Sequence, residues 1–265
     1  MPTSVLDVED HNHLRVLRLN RPERKNALNG LLLQAIGDAV RAAALDPDVW
    51  ALALTGNGDA FCSGLDLSEA SETDDTDGAD PPPEADERDS FVTVMRVECE
   101  KPILAGINGA AVGIGVSLAM AADIRIAAPS ARLHPGYARV GTSPDGGATL
   151  TVTAALGYER AMRFFLEQRM VSAAEALDLG LVGEVTASDD VFPERFLAYG
   201  QMLAGVAPIA AQQTKRLLSR ATTPSDLREH LDDEIRMALH GLSTDDSHEA
   251  VRAMMTKATP EFRGH

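Results

Sequence analysis

The sequence predicts an α/β fold, on three observations. Apolar runs of strand length that end in glycine-bearing loops alternate with stretches of helical periodicity over the first two-thirds of the chain. Three amphipathic stretches follow with no strand between them. The 265 residues, 45% of them hydrophobic, are enough for one large core.

Each element has its own signal. The runs around Val5 to Val8 and Leu14 to Leu19 read as strands, with the polar EDHNH between them as the turn of a hairpin. In LLLQAIGDAVRAAALD, Leu32, Ile36 and Val40 recur at the spacing of one helix face, and Asn29 stands where a cap belongs. VWALALTG, Val49 to Gly56, is almost wholly apolar, as a parallel strand covered on both faces must be. PILAGING, Pro102 to Gly109, repeats that pattern; a glycine-spaced helix start follows, and then the strand-like DIRIAA, Asp123 to Ala128. From about Gly205 the stretches VAPIAAQQTKRLLSRA, TPSDLREHLDDEIRMALHG and DDSHEAVRAMMTK read as helices, with Pro208 opening one and Pro224 separating two. The chain thus divides into an α/β core, 1–205, and a helical region, 206–265, suited to packing within an oligomer.

Charge narrows the partners. Forty acids against 24 bases give a net charge of −16, which repels a phosphate backbone and argues against nucleic acid. Ten of those acids and one base lie in SEASETDDTDGADPPPEADERDS, Ser68 to Ser90, where three prolines and few large apolar side chains predict a mobile acidic insertion. Cys62 and Cys99 lack metal or disulfide spacing, so no metal site is expected and a reducing compartment suits them. The N-terminus lacks a secretory pattern and no run of 18 apolar residues occurs, which predicts a cytoplasmic protein without a membrane span.

Three segments carry chemistry. GNGDAFCSGLDL, Gly56 to Leu67, runs a strand into a glycine-rich turn whose N–H groups lack obvious ladder partners. NGAAVGIGVSLAM, residues 108–120, places Gly113 and Gly115 around Ile114 where a helix begins. A helix start exposes N–H donors with partial positive charge behind them, although small residues there also serve close packing. Two such donors converging on one carbonyl oxygen are what a thioester enolate requires. VGTSPDGG holds Asp145, which reads either as a general base made more basic by burial or as a helix cap in a Pro-Asp-Gly turn. His134 and Tyr137 precede it on the same segment.

LNRPERKNAL, FCSGLDL, KPILAGINGAAVGIGVSLAMAADIRIA, VGTSPDGG and AAEALDLGLVGEV follow one another as in the crotonase superfamily, the enoyl-CoA hydratase/isomerase family, which the chain resembles over nearly its whole length. The resemblance implies a crotonase-like spiral of repeated ββα units, a C-terminal helical trimerisation region, a homotrimer or dimer of trimers, and an acyl-CoA thioester ligand, with coenzyme A as part of the substrate and no separate cofactor. It assigns the two oxyanion-hole amides to Leu65 and Ile114, the latter at a position usually held by Gly or Ala. It places the ligand against Lys25, Asn26 and Ala27, against Ser63, Gly64, Asp66 and Leu67 of the glycine-rich turn, and near Gly113, Ser117 and Tyr137. Arg24 and Lys25 either face the CoA phosphates or are ordinary surface charge, and Lys215 and Arg216 are further candidates for approaching CoA.

Family hydratases use two glutamates. The first falls at Ser117 and the second around Gly136 to Ala138, where no carboxylate stands. Asp145 is then the remaining acid, and one carboxylate is enough to carry a proton from C2 to C4. The expected activity is Δ3-to-Δ2 enoyl-CoA isomerisation. The alternatives are hydration, as in fatty-acid β-oxidation, and a non-catalytic CoA-ester binding protein.

Overall fold

The computed structural model describes residues 4–66, 91–222 and 226–263. The acidic insertion at 68–90, Leu67 and Pro224 lie outside the described residues.

The chain opens on an antiparallel hairpin, β1 (Leu6–His11) and β2 (Leu14–Leu19). The first strand runs three residues beyond its apolar run and takes in Glu9, Asp10 and His11, which the sequence reading gave to the turn. As an edge strand, β1 can leave polar side chains in water, and cross-strand pairing holds them: Asp10 receives Arg15 at 2.8 Å. The turn is left to Asn12 and His13, with Asn12 at φ 55. Helix α1 (Gly30–Leu45) buries Leu32, Ile36 and Val40, and the Asn29 side chain accepts the Leu32 N–H at 3.0 Å, a cap worth about 1 kcal/mol.

Three ββα units follow. The first is β3 (Ala51–Gly56) and β4 (Ala60–Cys62), followed after the insertion by the short helix α2 (Phe91–Thr93), which runs on as a π-helical turn over Val94–Glu98. The second is β5 (Ile103–Ile107), β6 (Ala110–Val112) and α3 (Ile114–Ala121). The third is β7 (Ile124–Ala127), β8 (Arg132–His134) and α4 (Ala148–Leu156). The first strand of each unit enters a six-stranded sheet, ordered β1-β2-β3-β5-β7-β10, and the second enters a four-stranded sheet, ordered β4-β6-β8-β9. This division of each strand pair between two sheets is the spiral. Central strands β3 and β5 are buried throughout, as their unbroken apolar character requires.

Helix α5 (Tyr158–Glu167), β9 (Val171–Ser172), α6 (Ala173–Leu179), β10 (Glu184–Val185) and α7 (Phe192–Ala204) complete the layers. The two-residue strands are too short for periodicity to mark. Helices α8 (Pro208–Thr222), α9 (Leu227–Leu242) and α10 (Asp245–Thr256) form the C-terminal region, with Pro208 as the first residue of α8. Leu231 of α9 joins the main core. Among the described residues, no helix is long and apolar enough to cross a membrane.

Candidate active site

Parallel strands β4, β6 and β8 are neighbours in the small sheet, so the loops that leave their C-terminal ends emerge side by side. Those loops carry Ser63 to Asp66, Gly113 with Ile114, and Pro135 to Tyr137. A cavity of about 230 Å³ opens among them, lined by Ser63, Gly64, Leu65, Gly113, Ile114 and Tyr137, and by Asp145. Leu242 and Met254, from α9 and α10, close it from the C-terminal region.

The amides of Leu65 and Ile114, two of the lining residues, are positioned by the chain's own pairing. Leu28 N–H donates to the Gly64 carbonyl at 2.7 Å and Asp66 N–H to the Leu28 carbonyl at 2.9 Å. In this parallel bridge the amide of the intervening Leu65 faces the opposite edge. Gly113 donates its N–H to the His134 carbonyl at 2.9 Å and adopts φ 54, a conformation that suits glycine, which turns the chain into α3 with Ile114 first in the helix. Among the described residues, neither the Leu65 nor the Ile114 N–H has a hydrogen-bond partner. The Ile114 side chain packs against the main core. At the other end of α3, Arg96 donates to the Met120 and Ala121 carbonyls at 3.0 and 3.1 Å, a cation where the helix dipole is negative.

Two asparagines hold the turn between β3 and β4, which precedes Leu65 in the chain. Asn26 is fully buried; its side chain donates to the Asn57 and Ala60 carbonyls and accepts the Arg21 N–H, at 2.8 to 3.0 Å. Asn108 accepts the Gly56 N–H and donates to the Gly58 carbonyl. The sequence reading missed Asn108, whose only signal was its place at the end of an apolar strand.

Asp145 sits at a corner fixed through its backbone. Its carbonyl accepts the Ser117 hydroxyl at 3.1 Å and the Ala148 N–H at 3.1 Å, and the Tyr137 hydroxyl lies 3.5 Å away. Its carboxyl Oδ1 is buried with no hydrogen-bond partner. Burial pushes this carboxyl up to about 6; the Tyr137 hydroxyl pulls the other way, and the negative charge of Glu234 adds to the rise. Tyr137 is raised well above the usual phenol value, chiefly by burial, so it stays protonated. Burial lowers His134, whose Nε2 lies 3.0 Å from the Gln168 carbonyl.

The remaining sequence candidates fall elsewhere. Ser117, completely buried, lies below the cavity on α3. Asp66 pairs with Arg21 at 2.8 Å, and Arg21 also donates to the Ala27 carbonyl. Lys25 pairs with Asp59 at 2.7 Å on the surface, and its carbonyl accepts the Ser63 N–H. The expectation that Lys215 approaches CoA is corrected: its ammonium is buried, donates to the Met95 and Lys101 carbonyls, and meets Asp123 at 2.8 Å. A chain of four methylenes lets an amphipathic helix turn a lysine inward when carbonyls and a carboxylate wait there. Arg216 pairs with Glu100. Glu234, missed by the sequence reading, is a buried acid on the core-facing stripe of α9 with Leu231 and Ala238; a carboxylate at that helical spacing was the available signal.

The ββα spiral, with a cavity among the loops at the ends of its smaller sheet, places this chain among crotonase-fold enzymes. Its fold is similar to that of an enoyl-CoA hydratase/isomerase from Pseudoalteromonas atlantica T6c, with a TM-score of 0.87 and 31% identity over 98% of this chain and 100% of that one. It is also similar to a monofunctional enoyl-CoA isomerase from M. smegmatis, with a TM-score of 0.69 and 27% identity over 86% of this chain and 99% of that one. A probable enoyl-CoA hydratase of Mycobacterium leprae is 32% identical over 96% of both chains. The model of the enoyl-CoA hydratase/isomerase family matches residues 9–265, and the chain belongs to that family of acyl-CoA enzymes.

Proposed function

We propose that this enzyme moves the double bond of an enoyl-CoA from C3 to C2. The observation that carries the reading is the shared cavity: Leu65 and Ile114, whose amides have no partner among the described residues, line it together with the buried Asp145, and hydroxyls stand at or beside the positions where the family resemblance puts hydratase glutamates. The Leu65 and Ile114 amides hold the thioester oxygen as negative charge gathers on it, each donor contributing about 3 kcal/mol to the barrier reduction. Asp145 takes a proton from C2 and returns it to C4. A carboxyl near 6 suits both steps, being mostly ionised at neutral pH yet a competent acid once protonated. The apolar lining from Leu242 and Met254 keeps water from the enolate.

Coenzyme A enters as part of the substrate, and no separate cofactor takes part in this scheme. The exposed apolar side chains Ile209, Leu217 and Leu218 of α8 support assembly as a homotrimer or a dimer of trimers, and we place the enzyme in the cytoplasm.

A second reading, hydration of a 2-enoyl-CoA, is favoured by the names of sequence relatives such as the M. leprae protein. It requires Tyr137 and Asp145 together to activate water. Supplying 3-enoyl-CoA and 2-enoyl-CoA separately and following 2-enoyl-CoA and 3-hydroxyacyl-CoA distinguishes the two. Isomerisation without hydration supports the first; 3-hydroxyacyl-CoA as the main product overturns it. Acyl-CoA binding with no turnover of either thioester overturns both.

A further inference from the structure

We propose that Glu234 is a positioning residue for Asp145: from the C-terminal helical region it clamps the main chain just beyond the acid and holds a negative charge behind it. This rests on Asp145 being the proton carrier.

Helix α4 has no side-chain cap of its own, since the residue at its start is Gly147, at φ 77. The missing acceptor comes from α9. The Glu234 carboxylate accepts the Gly147 N–H at 2.7 Å and the Thr149 N–H at 3.0 Å, and also the Thr149 hydroxyl. His230 Nε2 lies 2.8 Å from that hydroxyl and 3.4 Å from the carboxylate. The same corner has no slack against α2: a Cβ on Gly146 would stand 2.7 Å from Phe91, and one on Gly147 2.8 Å from Val92. The main chain just after Asp145 is therefore held by close packing on α2 and by an acid delivered by α9.

Both carboxylate oxygens are used, one taking the Gly147 N–H and the other the Thr149 N–H, and at 6% exposure the group carries a desolvation cost that these donors offset. The charge acts on Asp145, disfavouring its ionised form and keeping it basic. Among the described residues, the hydroxyls of Ser117 and Tyr137 meet the Asp145 carbonyl, Arg139, His134 and Thr142 line the same cavity, and His230 stands beside Glu234. Helix α9 also sends Leu242 to the cavity wall, so one element shapes the pocket and tunes its acid.

The test is made on the full chain with 13C-carboxyl-labelled aspartate, the Asp145 resonance being assigned by its loss in Asp145→Asn. In Glu234→Gln the Asp145 titration midpoint is expected to fall by about half a pH unit or more, and the acid limb of kcat/KM to move with it. Thr149→Val, which keeps the charge, leaves the midpoint in place. Glu234→Asp keeps the charge on a shorter arm, so the midpoint holds while kcat falls about tenfold or more. A folded Glu234→Gln protein with an unmoved midpoint overturns the proposal. If Glu234→Gln does not fold, Glu234→Asp decides: wild-type kcat overturns the proposal, and the kcat loss at an unmoved midpoint supports it. The NMR titration reads Glu234 whatever the reaction is, whereas undiminished isomerase activity in Asp145→Asn overturns the proton-carrier role alone.

Discussion

The hydroxyls of Ser117 and Tyr137 are hydrogen-bonded to each other, and Ser117 donates onward to the Asp145 carbonyl at 3.1 Å. The family resemblance puts hydratase glutamates at or beside these two positions. Here they carry neutral groups that hold a third residue in place. A tyrosine held protonated and a serine without an activating base do not take up a proton near neutral pH, which is why the proposed isomerisation assigns the proton to Asp145.

Asp145→Asn should therefore lower kcat/KM for isomerisation by about 10²- to 10⁴-fold, the usual contribution of a general base. Acyl-CoA affinity, measured by calorimetry, should stay within a few-fold of wild type. Retained activity would falsify the assignment of the proton carrier.

The pH dependence has a definite sign. A base that must be ionised in the free enzyme makes kcat/KM rise with pH through its own titration, so the acid limb is expected near 6. Stability runs the opposite way. A carboxyl raised in the folded state contributes most below its unfolded value near 4, and that contribution is lost as pH rises through about 6. Asp145→Asn should consequently gain stability relative to wild type on going from pH 4 to pH 8, by about 2 kcal/mol in denaturant titrations.

Tyr137→Phe removes one member of the hydroxyl pair without opening a cavity. The Ser117 contact to the Asp145 carbonyl remains, so a roughly tenfold loss in kcat with little change in KM is expected from looser placement of the acid. Steady-state kinetics with an unchanged Tm would separate this from general destabilisation. An equal rise in KM would instead indicate direct contact between Tyr137 and the acyl group.

Lys215→Met should destabilise the fold by about 3 kcal/mol, because it leaves Asp123 without its buried cation. Acyl-CoA binding should be unaffected in the folded fraction. Weaker binding without loss of stability would return Lys215 to the ligand.

Asn26→Ala removes three hydrogen bonds, two of them to the 57–60 turn that leads into β4, and a loss of about 2 to 4 kcal/mol is expected by chemical denaturation. Activity should fall more than stability alone explains, since β4 carries the chain to Leu65.

The sequence by itself determined the α/β class, the buried parallel strands, the capped first helix and the three C-terminal helices. Each is local: a period of 3.6, an unbroken apolar run, or a cap within four residues of its partner. It also marked Gly113 and the glycine-rich turn, because a main chain that must present bare amides shows it through residues without side chains. Tertiary structure alone decided what those amides face. Leu65 and Ile114 lie 49 positions apart in the sequence and meet because β4 and β6 are neighbours in the small sheet. The pinning of Asp145 from α3 and α9, and the burial of Lys215, were likewise settled by long-range packing. No pattern read along the chain encodes which distant group stands beside a side chain, and that neighbour sets its charge and its reach.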